Sequence, residues 1–222
     1  MRQFISANIV WFEQFMSLWS GLSPFRPFLP VVAVLLWFNS ACQNPKVDSL
    51  NYLQSVKNGQ LTFADGSTEA IPHWGDTTWT IVFCVRHAEK AKDDPKDPQL
   101  TPEGEARAER LGRILAGATL DSVYASPYKR TQLTAEPVQR RGNTAPVVTY
   151  KPDKQDLWFP ELLESSKGKK MLVVGHQNTI PQLLNLLTGK MDYDNIPDQD
   201  FGRMYLVATQ GVGITVVKEL RY

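Results

Sequence analysis

Four cationic or imidazole side chains follow shortly after runs of apolar residues, which are typical of buried strands. These side chains are Arg86, His87, Arg130 and His176. Two guanidinium groups and two imidazoles together suit a dianionic tetrahedral group, because guanidinium groups donate paired hydrogen bonds to its oxygens and keep their charge. The sequence therefore predicts a site that binds a phosphoryl group.

His87 is the candidate nucleophile of this site. A histidine attacks phosphorus when one ring nitrogen is unprotonated, and its ordinary pKa of about 6.5 makes that form available at neutral pH. A backbone carbonyl that accepts from the other ring nitrogen would fix the tautomer. Arg86, Arg130 and a protonated His176 would neutralise the phosphoryl oxygens, so we expect neither a metal ion nor a cofactor. Asn178, near the start of a predicted helix, would add an amide donor for the substrate.

The elements that must position these residues alternate between strand and helix patterns. Strands are predicted at residues 79–85, 122–125, 147–150, 171–174, 203–208 and 212–219. Helices are predicted from residue 101 onward and at residues 128–141, 155–165 and 179–188. This alternation predicts an α/β fold, a three-layer α/β/α sandwich with a mostly parallel central sheet. In such sheets the site lies at the carboxyl ends of the strands.

Four blocks of sequence, in this order, resemble the histidine phosphatase superfamily, which is also called phosphoglycerate mutase-like. The blocks are Arg-His at 86–87, Leu-Thr-Pro-Glu-Gly at 100–104, Ser-Pro-x-x-Arg-Thr at 126–131 and Gly-His-x-Asn-Thr at 175–179. The resemblance covers about residues 79–209 and is to the compact members, of the phosphohistidine-phosphatase type. It implies a metal-independent hydrolase of phosphomonoesters or phospho-amidates that forms a phosphohistidine on His87.

The general acid is the least defined part of this prediction. Members of the superfamily often supply it from a Glu or Asp after the third strand, where this chain has Asp153 and Asp156. Neither lies in a recognisable acid motif, and a helix N-cap is the alternative role for Asp156. A phospho-amidate or anhydride leaving group would need less help from an acid.

Two alternatives to a phosphatase stay open at this point. One is a phosphoglycerate-mutase-like phosphotransferase, which needs a closed pocket to retain its intermediate. The other is a non-catalytic protein that binds a phospho-ligand. The predicted ligand is a phosphorylated small molecule or saccharide, with a phosphoprotein as the alternative. The net charge of +1 gives no reason to expect a nucleic-acid partner.

The composition changes sharply near residue 45. Residues 1–41 contain the apolar run 27–38, which follows Arg26 and ends shortly before Cys42. A positive flank, an apolar run and small residues before a cleavage point describe a secretory signal. The cysteine after Ser-Ala resembles the bacterial lipoprotein signal, although Asn39 stands where that signal usually has Leu.

We therefore expect export to the cell envelope and a lipid anchor on Cys42 at a bacterial membrane. An uncut membrane anchor is the alternative for this segment. The predicted organisation is a signal peptide over 1–41, a tether and small hairpin over 42–78, and a phosphatase domain over 79–222. Within the tether, a short helix is expected around residues 50–56.

Overall fold

The structure, a computed structural model, describes residues 51–142 and 146–222. The predicted signal peptide 1–41 and the proposed lipidation site Cys42 lie outside these described residues. The described residues all fall within the unit Asp48–Tyr222. Within them, no helix combines the length and the apolar character needed to cross a membrane.

A small antiparallel sheet forms the first part of the described chain. Its strands are β1 (Leu53–Lys57), β2 (Gln60–Phe63) and β3 (Thr68–Ala70). The helix expected around residues 50–56 is wrong. Asn58 and Gly59 both have positive φ, at 50° and 78°, and form the tight turn between β1 and β2. Such a turn joins two strands, which accounts for the extended conformation of the residues before it.

The main sheet has six strands in the spatial order β6-β5-β7-β4-β8-β9. Their bounds in chain order are β4 (Thr80–Arg86), β5 (Ser122–Ala125), β6 (Val148–Thr149), β7 (Lys170–Gly175), β8 (Arg203–Gly211) and β9 (Ile214–Arg221). The four strands from β6 to β4 pair in parallel, whereas β8 is antiparallel to both of its neighbours. The predicted mostly parallel sheet is therefore confirmed.

Four helices cover the two faces of this sheet. They are α1 (Pro102–Leu115), α2 (Lys129–Gly142), α3 (Gln155–Ser165) and α4 (Thr179–Thr188). One core cluster joins α1, α2 and the small sheet to one face, and a second cluster joins α3 and α4 to the other. The two faces of β4 alternate between these clusters, with Phe83 in the first and Cys84 in the second. This arrangement confirms the predicted α/β/α sandwich.

Candidate active site

The register of the parallel strands brings the two candidate histidines together. Arg86, the last residue of β4, pairs with Gly175, the last residue of β7, so His87 and His176 leave the sheet at the same level. The backbone N–H of His87 donates to the carbonyl of Gly175 at 2.9 Å. As a result, the two imidazole rings lie 5.5 Å apart, centroid to centroid, in an edge-on arrangement.

The His87 ring is buried and its tautomer is set by the backbone. Only 4% of the residue is exposed, and its Nδ1 lies 2.8 Å from the carbonyl oxygen of Ala88. A carbonyl can only accept, so Nδ1 carries the proton and Nε2 keeps its lone pair. Burial lowers the pKa of His87 to about 3 because it disfavours the charged imidazolium. The ring is therefore neutral at physiological pH, as a nucleophile must be.

His176 is oriented by a neighbouring strand end. Its Nε2 lies 2.8 Å from the hydroxyl of Ser126, which follows β5 directly. Burial, and then the charges of Arg130 and Arg86, lower the pKa of His176 to about 4. The neutral form therefore dominates without a bound anion. A dianion held between these cations would raise this pKa, because opposite charge favours the imidazolium form.

Arg86 is held by the segment that precedes β8, residues 197–202, which we call the arginine loop. Its Nη1 donates to the backbone carbonyls of Pro197 at 2.9 Å and Asp198 at 3.0 Å. The guanidinium carbon lies 4.2 Å from the ring centroid of Phe201, a cation–π contact. With only 4% of the residue exposed and Nη1 bonded to backbone carbonyls, the Arg86 guanidinium is held in a fixed position at the cleft.

Arg130 reaches the same site from the first turn of α2. Its guanidinium carbon lies 4.3 Å from the ring centroid of Tyr128. The same ring makes an edge contact with His176 at 5.2 Å. The Tyr128 ring therefore contacts both Arg130 and His176, and these three side chains form one wall of the site.

These side chains line a single open cleft of about 1520 Å³ at the carboxyl ends of the parallel strands. The structure brings all five predicted site residues to this cleft: Arg86, His87, Arg130, His176 and Asn178. Asn178 is at the N-cap of α4, but its side chain makes no capping hydrogen bond. In the described residues, no group of three His, Cys, Asp or Glu side chains could hold a metal ion.

The two candidate acids, Asp153 and Asp156, also line this cleft, and both are exposed. The alternative role of Asp156 as an N-cap is wrong, because α3 begins one residue earlier and is preceded by a single 3₁₀ turn over Pro152–Lys154. Three further carboxylates line the cleft: Glu89, Glu103 and Asp198. Arg107 holds Glu89 in a bidentate ion pair at 2.8–3.0 Å.

Several supporting residues were not predicted from the sequence. The Thr134 hydroxyl accepts from the backbone N–H of Ala88 at 3.0 Å, which fixes the residue that sets the His87 tautomer. Gly104 of α1 packs so closely on this segment that a Cβ there would lie 2.2 Å from the Glu89 carbonyl oxygen. The Leu-Thr-Pro-Glu-Gly block thus brings α1 into contact with the segment that follows β4. The sequence shows this glycine but not the backbone that it packs against, so its role could not be predicted.

The fold is of the α/β class, and its cleft gathers two guanidinium groups and two imidazoles at the carboxyl ends of the parallel strands. Residues 82–152 match the sequence profile of the histidine phosphatase superfamily (branch 1). The predicted resemblance to this superfamily is thereby confirmed over residues 82–152. No curated protein sequence matches the chain.

Solved structures share this fold at low sequence identity. The protein histidine phosphatase SixA complexed with tungstate has a TM-score of 0.53 at 19% identity, over 64% of this chain and 96% of SixA. An α-ribazole-5′-P phosphatase from Escherichia coli has a TM-score of 0.53 at 16% identity, over 64% and 96%. A phosphoserine phosphatase from Entamoeba histolytica has a TM-score of 0.51 at 15% identity, over 64% and 97%. The shared region is the compact sandwich.

Proposed function

We propose that this protein is a metal-independent phosphatase that hydrolyses phosphomonoesters or phospho-amidates through a phosphohistidine on His87. The observation that carries the proposal is the 2.8 Å contact between Nδ1 of His87 and the Ala88 carbonyl. It leaves the Nε2 lone pair free in a cleft that also holds Arg86, Arg130 and His176. Nucleophile and positive charge are thus placed together before a substrate binds.

The proposed reaction has two steps. In the first, Nε2 of His87 forms a bond to phosphorus while the bond from phosphorus to the leaving oxygen or nitrogen breaks. The positive charge that develops on the imidazole is stabilised by the Nδ1–H···O contact to Ala88. In the second, water attacks phosphorus, the P–N bond breaks, and inorganic phosphate leaves with neutral His87 restored. Arg86 and Arg130 donate to the phosphoryl oxygens in both steps.

The leaving group receives a proton in the first step. Asp153 and Asp156 are the candidate donors, since both carboxyl groups line the cleft. Aryl phosphates have weakly basic leaving groups that need this proton less than alkyl phosphates do. A test with aryl phosphate therefore isolates the nucleophile from the acid.

The central test is phosphate release from p-nitrophenyl phosphate by the full chain, with excess chelator and beside the His87→Ala variant. We expect activity that survives chelation and falls at least about 10³-fold in the variant, the scale of losing a nucleophile. A ³²P label on the wild-type protein that is stable to alkali and labile to acid would identify the phosphohistidine. Equal inactivity of both proteins, with phosphate still bound, would instead support a binding protein.

The substrate we propose is a phosphorylated small molecule or saccharide. Two of the solved structures are named for small phosphorylated compounds, an α-ribazole-5′-P phosphatase and a phosphoserine phosphatase in complex with 3-phosphoglyceric acid. SixA is named as a protein histidine phosphatase, which supports a phosphoprotein as the alternative. Interconversion of phospho-sugar isomers without phosphate release would indicate a phosphotransferase.

We also propose that the protein is exported and anchored to a bacterial membrane by a lipid on Cys42. The support is the sequence alone: Arg26, the apolar run 27–38 and the Ser-Ala-Cys sequence that follows. Wild-type protein expressed in bacteria should incorporate labelled palmitate and sediment with membranes. Cys42→Ser should abolish the label, whereas Cys84→Ser, which alters a buried free thiol, should not. Equal labelling of all three proteins would contradict the anchor.

A further inference from the structure

Asp97, in the loop between β4 and α1, holds the first turn of α2. The backbone N–H of Lys129, the first residue of α2, donates to Oδ1 of Asp97 at 2.8 Å. The first N–H groups of a helix have no acceptor within the helix, and a carboxylate at this end also suits the helix dipole. The next residue of α2 is Arg130, whose side chain lines the cleft. Asp97 therefore acts on the turn that carries a phosphate-binding candidate.

The loop that carries Asp97 is folded by its own side chains. Oδ1 of Asp94 accepts from the backbone N–H groups of Lys96 at 2.8 Å and Asp97 at 3.2 Å. Oδ1 of Asp93 accepts from the backbone N–H of Gln99 at 3.2 Å. Hydrogen bonds of this kind, from a side chain to the backbone a few residues on, stabilise turns. The Asp97 carboxylate is thus presented to α2 by a preformed loop.

The segment that follows β4 is joined to α2 at a second point. The Thr134 hydroxyl donates to the backbone carbonyl of Arg130 at 2.6 Å and accepts from the backbone N–H of Ala88 at 3.0 Å. Ala88 is also the residue whose carbonyl sets the tautomer of His87. The turn that carries Arg130 is therefore fixed to the same segment that fixes the His87 ring, at Ala88 and again at Asp97.

The Asp97 carboxylate also acts on the charge of Arg130. Burial lowers the pKa of the Arg130 guanidinium, and the negative charge of Asp97 is the largest influence in the opposite direction. Asp97 thus has two effects that can be separated: its oxygen holds the backbone of the turn, and its charge partly offsets that of Arg130. An anion bound by Arg130 is favoured by the first effect and disfavoured by the second.

We propose that Asp97 is a positioning residue for Arg130. It fixes the first turn of α2, so that the Arg130 guanidinium is held at the cleft before a phosphoryl group binds. Asp97 is half-buried and is not among the described residues that line the cleft, so it acts through the helix and not by contact with the substrate. The inference rests on the proposed phosphatase function and adds to it a residue from outside the cleft.

The test is the binding of inorganic phosphate to the full chain, measured by calorimetry and as the inhibition constant against p-nitrophenyl phosphate. Asp97→Ala removes the oxygen that holds the turn, so the Kd for phosphate should rise about fivefold or more. Asp97→Asn keeps an oxygen that can accept from Lys129 and removes only the charge, since Asn and Asp serve equally well at a helix start. Its Kd should be equal to that of the wild type or lower.

Asp121→Ala is the matched control. The Asp121 carboxylate also accepts from a backbone N–H at 2.8 Å, that of Lys170 at the start of β7, at the end of the sheet opposite the cleft. Its loss should leave the Kd for phosphate unchanged. If Asp97→Ala does not fold, Asp97→Leu, which keeps the shape of the side chain without an acceptor, takes its place.

The outcomes separate this inference from the proposed function. Hydrolysis of p-nitrophenyl phosphate, with the same Kd for phosphate in Asp97→Ala and the wild type, overturns the positioning role and leaves the phosphatase in place. A fall in Kd of equal size in Asp97→Ala and Asp97→Asn shows an effect of charge alone and also overturns it.

If no phosphate ester is hydrolysed, the proposed function fails, and the calorimetric Kd still decides the role of Asp97. Weaker binding in Asp97→Ala that Asp97→Asn restores then supports the positioning role. A wild-type protein that binds no phosphate overturns it, because Arg130 would have no phosphoryl group to hold.

Discussion

At the scale of single residues, the site depends on two imidazoles kept neutral by their surroundings. Burial is the largest cause of the low pKa of both His87 and His176, about 3 and about 4. The cost of burying a charge thus keeps both rings unprotonated. The same burial ties the stability of the fold to pH, because in the unfolded chain both rings return to an ordinary pKa of about 6.5.

We expect the free energy of unfolding to fall as the pH is lowered from 7 to 5. In this range the unfolded chain binds protons at His87 and His176, whereas the native chain does not until the pH approaches 3 to 4. The loss should be on the order of 2 kcal/mol for each histidine. Urea denaturation at a series of pH values measures it.

Two single substitutions control this experiment. His87→Asn and His176→Asn should each remove about half of the pH dependence, because each takes away one of the two buried imidazoles. The wild-type slope in His87→Asn would show that His87 is not held neutral by burial.

A second residue-scale prediction concerns Ser126, which is fully buried between Thr131 and His176. Ser126→Ala removes the hydroxyl that orients the His176 ring, so kcat/KM for p-nitrophenyl phosphate should fall about tenfold. Ser122→Ala, at the start of the same strand, should have little effect. Unchanged kcat/KM in a folded Ser126→Ala protein would exclude an orienting role.

The sequence allowed the residues that line the cleft to be predicted but not their hydrogen-bond partners. Arg-His and Gly-His follow apolar runs, so their place at strand ends could be inferred. The contact of Ser126 with His176 depends on the alignment of β5 with β7, where Ala125 pairs with Val174. That register is set by packing across the whole sheet, which no local pattern records.

At the scale of elements, the arginine loop is held in place by two ion pairs of Asp200, which we call the clamp. The carboxylate of Asp200 accepts from Arg203 at 2.7 Å and from Arg221 at 2.6 Å. These arginines belong to β8 and β9, so the clamp ties the loop to the antiparallel edge of the sheet. Arg86 is therefore positioned by strands from which none of the predicted site residues comes.

This arrangement predicts that Asp200→Asn weakens phosphate binding. Without the full charge of the carboxylate, the loop carbonyls hold Arg86 less firmly. The inhibition constant of inorganic phosphate should rise about tenfold, and KM for p-nitrophenyl phosphate should rise with it. Competitive inhibition assays measure both.

The control for the clamp is Glu219→Gln. Glu219 contacts the same two arginines, at 3.2 Å and 3.6 Å, but is more exposed, and among the described residues no ion pair or hydrogen bond joins it to the arginine loop. If both variants change the inhibition constant equally, the arginines act through the edge of the sheet as a whole and not through Asp200.

The arginine loop also shows a limit of sequence analysis. Arg86 is held by backbone carbonyls of Pro197 and Asp198, and every residue has a carbonyl. The identity of these residues therefore carries no signal of the contact. Phe201 could have been noted as an aromatic residue before a strand, but only the fold places it over Arg86.

At the scale of the whole molecule, the small sheet is part of the hydrophobic core. Leu53, Val56 and Leu61 are buried in the same cluster as Leu111 and Ile114 of α1. The expectation of a tether with a small hairpin understated this role. The helical interpretation of residues 50–56 overlooked the Asn58-Gly59 pair, which is a strong local signal for a hairpin. The long alternation of strands and helices that follows was easier to interpret, because β4 and β7 are continuous apolar runs and α1 and α4 have regularly spaced apolar residues.

If the small sheet belongs to the core, damage to it should destabilise the entire domain. Leu61→Ala removes a fully buried side chain, so the free energy of unfolding should fall by about 2–5 kcal/mol. Thr62→Ala, at the adjacent half-buried position of β2, should change it by less than about 1 kcal/mol.

Urea unfolding should be followed both by tryptophan fluorescence and by loss of p-nitrophenyl phosphate hydrolysis. The two signals should shift together in Leu61→Ala, because one cluster supports both the small sheet and α1, whose first turn packs on the segment that carries His87. Separate transitions, with activity lost later than the fluorescence change, would show that the small sheet is only an appendage.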